Sequence, residues 1–453
     1  LPFGVIEIPD RRIQDLIDSS VRNIYQARDL TVNGLPAFHV GPTCYRMLYV
    51  IDGAFLLETV ALLGRGSDAR AGLEYILGFQ KEDGGFELKD KFWKETGIVL
   101  WTVARYARLT GDRAWLRGVW PRIVKAVDFI RRLRDRGEAG DPDSPMHRLA
   151  PHGDIDGGIG CNLGEHEQFP EFSNTYWLLA GLKAASESAL WLGEAEAANK
   201  WNAEFEDMRR VFLETASAHL RTDRLGNRYL PIRLGADDSP QKGQWAFCHA
   251  VHPGAVFAPE EPFVRGMLAM LDAAKVEGMV CDTGWIYYGL WTYFASFMGH
   301  AHLWAGDAAG ALADLESLAD HAAPVFVWRE EQKPLGAGDE HGDMPHNWAS
   351  AEFIRLAFHL LAFERGSELH LFSGVTAHWL RDGAVTAVRG AATAFGPLTA
   401  LLRRDGRDII VEVAPLERPC SAIVVHRSAW APGSEPLRFV ATEKNSLRIP
   451  NAF

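Results

Sequence analysis

Residues 97–111, GIVLWTVARYARLTG, followed by residues 112–134, DRAWLRGVWPRIVKAVDFIRRLR, decide the fold. In both segments apolar residues recur at i, i+3, i+4 and i+7, the period of a helix. The first is apolar nearly all round, whereas the second carries a face of arginine, lysine and aspartate. The first therefore belongs inside and the second outside. They meet at Gly111, and glycine is a common helix stop. The pair reads as a helical hairpin.

The pairing recurs along the chain. GAFLLETVALLG precedes SDARAGLEYILGFQ, NTYWLLAGLKAASESALWLG precedes EAEAANKWNAEFEDMRRVF, and GWIYYGLWTYFASFMGHAHLWAG precedes DAAGALADLESLADHA. NWASAEFIRLAFHLLAFERG is a last inner helix. With PDRRIQDLIDSSVRNIYQARD and EEPFVRGMLAMLDAAK, about eleven helices are predicted before residue 366. The repeat is irregular in length, unlike that of a solenoid. Inner and outer helices in alternation predict a mainly α chain built on an (α/α)6-type helical barrel. Polar, aromatic-rich loops precede the inner helices: the opening stretch, GPTCYRMLYVID, EDGGFELKDKFWKE, PHGDIDGGIGCNLGEHEQFPEFS, SPQKGQWAFCHAVHPG and EGMVCDT. In a barrel they converge at one end, where helix N-termini favour negative or electron-rich groups. The pocket is expected there.

After Gly366 the period shortens to two in LHLFSGV, AVTAVRG, PLTALLRR, DIIVEVAP, SAIVVHRS and LRFVATE, separated by Gly, Pro and Asp turns. The expected division is a barrel over residues 1–366 and a C-terminal antiparallel β-sandwich over 367–453 that packs against it and stabilises it.

With 453 residues, 47% of them hydrophobic and 23% charged, the chain is long enough for one large domain and a smaller one. A net charge of −12 repels a phosphate backbone, so no nucleic-acid partner is expected. No run approaches the roughly 18 apolar residues that cross a bilayer, so no membrane partner is expected either. Cys44, Cys161, Cys248, Cys281 and Cys420 lack CxxC spacing, which argues against a zinc site or a disulfide framework. The start, LPFGVIEIPDRR, does not read as a signal peptide, and a cytoplasmic location is favoured, with a periplasmic or secreted one the alternative if a signal peptide was removed.

This combination resembles the six-hairpin glycosidases, nearest to the α-L-rhamnosidase-like and related inverting enzymes. In these families a Trp-Glu pair before the last inner helix supplies a general base, and a His-Asn element opens that helix. VFVWREEQ and MPHNWASAEFIRL are similar. The resemblance implies a base at Glu330 or Glu331, Arg329 standing between Trp328 and both glutamates. An aromatic-Asp segment carries the acid side in such clans, and CYRMLYVIDGAF puts Asp52 in that role. The rhamnosidase general-acid glutamate has no counterpart, Tyr45 occupying its place.

Glycoside hydrolysis needs one carboxylic acid for the leaving oxygen and one carboxylate for water or the anomeric carbon. Asp52, flanked by apolar residues, suits the acid if it does not merely cap its helix. Glu95, in FWKETG, is a third carboxylate candidate. Sugars present apolar faces and hydroxyls, so aromatic platforms, amides and histidines should line the site. The candidates are Tyr45, Arg46, Trp93, Trp177, Trp245, His249, Trp285, Trp328, His346, Asn347 and Trp348. Neither metal nor cofactor is expected. GDIDGGIG lacks the spacing of a calcium loop, and FQKEDGGFE, similar to a turn of terpene cyclases, occurs once where those families repeat it.

The sequence favours a glycoside hydrolase that removes a terminal sugar by inversion. A polysaccharide lyase using Tyr45, Arg46, His346 and Asn347, or a sugar-binding protein without activity, remain the alternative readings.

Overall fold

The computed structural model describes residues 1–30, 34, 36–155, 169–335, 338–440 and 445–450. Twelve α-helices lie among them: α1 (Arg11–Gln26), α2 (Val50–Leu62), α3 (Gly66–Leu77), α4 (Lys94–Thr110), α5 (Arg113–Glu138), α6 (Ser173–Leu192), α7 (Ala195–His219), α8 (Trp245–Val251), α9 (Pro262–Ala273), α10 (Phe294–Trp304), α11 (Ala308–Asp320) and α12 (Asn347–Leu361).

Contacts among the even-numbered helices run in a cycle. α2 packs on α4, α4 on α6, α6 on α8, α8 on α10, α10 on α12, and α12 returns to α2. Odd-numbered helices flank the cycle: α3 touches α2 and α4, α5 touches α4 and α6, and α11 touches α10 and α12. Burial follows the sequence pattern. All 15 residues of α12 are buried, whereas α7 buries seven of 25. α4 and α6 meet at their backbones, because a Cβ on Gly97 would lie 2.0 Å from the Trp177 carbonyl oxygen. Only glycine permits that approach.

Three segments depart from the sequence reading. SPQKGQWAFCHAVHPG, which reads as a loop, holds α8, whose seven residues are all buried and too few to display a period. GWIYYGLWTYFASFMGHAHLWAG becomes helical only at Phe294. Tyr288 has φ of 55°, and Leu290–Trp291 pairs as a strand with Glu331–Gln332, so residues 284–293 cannot continue a helix. The last inner helix stops at Leu361, and Ala362–Arg365 is a strand that turns at Gly366 to pair with Glu368–Leu371.

Two larger sheets follow. One orders Ile6–Glu7, Val385–Thr393, Gly396–Asp405, Asp408–Val413 and Asn445–Ile449; the other orders Ala362–Arg365, Glu368–Leu371, Ala422–Val425 and Leu437–Phe439. Gly396–Asp405 alternates buried and exposed side chains, the period of a half-buried strand. The sheets are not wholly antiparallel, because Glu368–Leu371 and Ala422–Val425 run parallel, the intervening strands serving as the crossover. Nor do they begin at residue 367: Ile6 pairs with Val388, and Ala362 with Leu371. Val385–Thr393 packs on α2, α4 and α12.

Candidate active site

A three-stranded ribbon of Leu290–Trp291, Glu331–Gln332 and Glu340–His341 positions the acidic loop. Adjacent residues of an extended chain point to opposite faces, so Glu330 and Glu331 separate. Glu331 turns into the protein. Its Oε2 accepts hydrogen bonds from the Trp285 amide at 2.5 Å and the Ile286 amide at 2.8 Å. Burial pushes its carboxyl up to about 7. A Cβ on Gly284 or Gly289 would crowd its Oε1, at 2.9 and 2.5 Å, so the two glycines leave room for the carboxylate.

Glu330 faces a cluster of polar rings. Its Oε1 accepts from Trp285 Nε1 at 3.1 Å and from the Tyr293 hydroxyl at 3.4 Å, while Oε2 stands 3.8 Å from His341 Nε2 and 3.9 Å from His346 Nε2. His346, the N-cap of α12, is stacked on Tyr293, and Tyr45 meets it edge-on at 5.6 Å. The Tyr45 hydroxyl lies 3.3 Å from His341 Nε2. Burial holds the His346 imidazole down to about 3, so it is neutral.

Asp343 fixes Tyr45 from below. It accepts from the amides of Thr43, Cys44 and Tyr45 at 3.1, 3.1 and 2.9 Å, and from the Thr43 hydroxyl. Burial raises its carboxyl, but these donors outweigh it and hold it at about 2. Gly41 makes room, since a Cβ there would overlap Asp343 Oδ2.

Asp52 lies in the first turn of α2, half-buried, and Tyr49 rather than Asp52 is that helix's N-cap residue. The Tyr293 hydroxyl is raised well above its usual value by burial, then by the charges of Glu330 and Asp52. Tyr293 thus senses both carboxylates. Glu95, in the first turn of α4, is buried and accepts from the Leu88 amide at 2.5 Å, and burial pushes it up to about 8. It braces the turn before its own helix. Beside it, Lys94 Nζ donates to the carbonyls of Asp154 and Ile155 and to Ser173 Oγ at 2.6, 2.9 and 2.8 Å.

Several predicted sugar contacts lie elsewhere. Trp328 is buried against Phe353 and donates to the Leu318 carbonyl at 2.8 Å. Trp348 is stacked on Phe55 and donates to Glu352. Trp177, Trp245 and His249 are buried together inside the helical cycle, with ring centroids 5.4 and 5.6 Å from His249. Indole and imidazole rings satisfy a core as readily as a sugar face, and these fill the core. Asn347 donates to the His39 carbonyl, anchoring residues 39–40. Arg46 is exposed and doubly bonded to Asp29. Trp93, half-buried, donates to the His152 carbonyl. Trp285 alone among the named tryptophans touches Glu330 through an indole N–H.

Tyr293, His341 and Asp343 join the site without standing out in the sequence as candidates. His341 and Asp343 stand in the same acidic, histidine-bearing loop, which was the available signal; Tyr293 fell in a segment read as helix. Part of GDIDGGIG lies outside the described residues. The sequence placed the pocket at the N-terminal ends of the inner helices, where these carboxylates gather. A cavity of about 630 Å³ lies at the opposite ends of these helices, walled by Glu58, Arg105, Lys183, His252, His359 and Phe395 among others.

No family model matches the chain, and no curated protein matches it. Solved structures do. A glycosidase in complex with glucose superposes with a TM-score of 0.56 at 18% identity, over 77% of this chain and 97% of its own. The α-L-rhamnosidase of Streptomyces avermitilis complexed with L-rhamnose gives 0.61 at 12% identity, over 98% of this chain and 42% of its own. A bacterial glucoamylase complexed with acarbose gives 0.54 at 16% identity, over 76% of this chain and 55% of its own. By architecture, the chain shares the fold of these solved glycosidase structures.

Proposed function

We propose that the chain is an inverting glycoside hydrolase that releases a terminal sugar, its even-numbered helices forming the inner ring of an (α/α)6 barrel and its two larger sheets a β-sandwich. The helical region, to about residue 366, carries the catalytic groups, and residues 367–453 supply most of the strands. The observation that carries this reading is the setting of Glu330. It is a buried carboxylate at the N-terminal mouth of α10 and α12, held on one oxygen by Trp285 and Tyr293 and flanked on the other by two imidazoles. The known sugar-bound forms of similar folds support it.

In this mechanism Glu330 takes a proton from a water whose oxygen attacks the anomeric carbon. Asp52 gives its proton to the glycosidic oxygen as that C–O bond breaks. Inversion follows because water enters on the face opposite the leaving group, which calls for carboxylates roughly 6.5–9.5 Å apart. The donors on Glu330 Oε1 fix which lone pair faces the water. His341, His346 and Tyr45 serve sugar hydroxyls, and Trp285 offers an apolar face. Arg46 is engaged with Asp29, which removes a proposed uronate partner and favours hydrolysis over lyase chemistry.

The test is a panel of chromogenic glycosides and oligosaccharides with reducing-sugar detection, the released anomer being followed by NMR. Initial release of the inverted anomer supports the reading. Retained configuration, a product absorbing as a conjugated uronate, or binding without turnover would each overturn it.

A further inference from the structure

At the end of the helical cycle opposite Glu330, three histidines from three neighbouring helices meet. His252 is the C-cap residue of α8, His300 lies on α10, and His359 lies in the last turn of α12. One ring nitrogen from each falls within 4.8 Å of the others. His252 is stacked on His300, centroids 5.3 Å apart, and His359 meets both rings edge-on. His252 and His359 also line the cavity of about 630 Å³.

The hydrogen bonds assign the tautomers. His300 Nδ1 is 2.8 Å from the Ser296 carbonyl, which only accepts, so Nδ1 carries the hydrogen and Nε2 presents a lone pair. His300 Nε2 is 2.8 Å from His359 Nδ1, which must then be the donor. An imidazole whose Nδ1–H is held by a backbone carbonyl and whose Nε2 faces its neighbours has the orientation that metal-binding histidines share. Among the described residues the His252 ring makes no hydrogen bond.

We propose that His252, His300 and His359 bind a divalent transition-metal ion with zinc-like preference, leaving one coordination position open to the cavity. Metal–nitrogen bonds of about 2.0–2.1 Å in a tetrahedral arrangement place ligand nitrogens roughly 3.3 Å apart. The His300–His359 pair opens by about half an ångström to reach that spacing, and His252 closes toward it. The hydrogen on His359 Nδ1 moves to Nε2, so binding through these atoms releases no proton. Three nitrogen ligands with an open position suit zinc, cobalt, nickel or copper rather than magnesium or calcium.

The surroundings tolerate a cation. The C-terminal ends of α8 and α12 point their partial negative charge at the site. Arg105 is paired with Glu58 and Glu364, and Arg355 with Glu58 and Glu352, so these two guanidiniums are matched by three carboxylates. The third nearby guanidinium, of Arg365, is turned to the carbonyls of Leu303 and Trp304. None of these residues belongs to the Glu330 site, so this inference does not rest on the proposed hydrolase activity.

The test titrates chelator-treated protein with Co²⁺, read by visible d–d absorption, and with Zn²⁺ in competition with a chromophoric chelator. One equivalent should bind, with the absorption of a low-symmetry nitrogen-ligated cobalt centre displaced by Zn²⁺. His252→Ala and His359→Gln should each weaken binding by about 100-fold or more, while Glu330→Gln leaves it unchanged. Circular dichroism and urea midpoints identify variants that fail to fold, and His252, at the cavity edge, is the less disruptive of the two. Absence of a stoichiometric cobalt spectrum in the wild-type chain, or unchanged affinity in folded His252→Ala, would overturn the proposal.

Discussion

The ring of His346 is stacked on that of Tyr293, centroids 5.0 Å apart and planes 17° apart, with the Tyr293 hydroxyl turned to Glu330. This couples the start of α12 to the start of α10 through the carboxylate between them. A change in any of the three should be felt by the other two.

Glu330 and Glu331 should therefore separate by phenotype. Glu330→Gln keeps the fold and lowers turnover by about 10²–10⁴. Glu331→Gln should leave turnover within a few-fold and change stability instead. The Glu331 pKa is raised from 4.5 in the unfolded chain to about 7 in the folded one. Its contribution is present below pH 4.5 and lost as pH rises toward 7, amounting to about 3 kcal/mol. That component of the pH profile, measured by urea unfolding, should vanish in Glu331→Gln.

Asp343→Ala removes the acceptor of three amides around Tyr45. Activity, measured as kcat/KM, should fall by about 10–100-fold, the range for losing a positioning contact. Because the folded carboxyl is held at about 2, its stabilisation is present above the unfolded value of 3.8 and lost as pH falls toward 2. The acid limb of the variant's unfolding curve should be correspondingly flatter.

Gly97→Ala places a methyl group against the Trp177 carbonyl. Neither backbone yields cheaply, so the variant should lose about 3 kcal/mol or more, read as a lowered urea midpoint, and Gly97→Val should not fold.

Acid should destabilise the chain early. His249, His300, His346 and His359 are buried and neutral, their folded pKa values lying below the unfolded value of 6.5. Stability is complete above pH 6.5 and lost as pH falls, by about 1.4 kcal/mol per histidine per pH unit. Urea midpoints at pH 7.5 and 5.5 should differ sharply. Equal midpoints would show that these rings are protonated in the folded state.

Long periodic segments were legible in the sequence: α4 through α7 lie where the pattern put them. The failures are local and physical. α8 is too short for a period, and residues 284–293 satisfy a helical period but are pulled straight by pairing with Glu331–Gln332, a partner distant in sequence. The site was half legible. Glu330, Asp52, Tyr45, Trp285 and His346 drew notice as acids and rings in one loop set. Nothing local to Trp177, Trp328 or Trp348 distinguishes a core indole from a sugar platform, because burial is decided by neighbours distant in sequence.

The pairing of Ile6 with Val388 has a consequence for biosynthesis. At about 5–20 residues per second, the ribosome takes roughly 20–75 s between making one and making the other. Through that interval the first segment has no strand to join, and α1 waits likewise for α12. The helical hairpins assemble early from nearby partners, while the seam joining first and last segments closes only after nearly the whole chain has emerged. A nascent chain stalled before residue 385 should expose its opening residues to proteases that spare the finished protein.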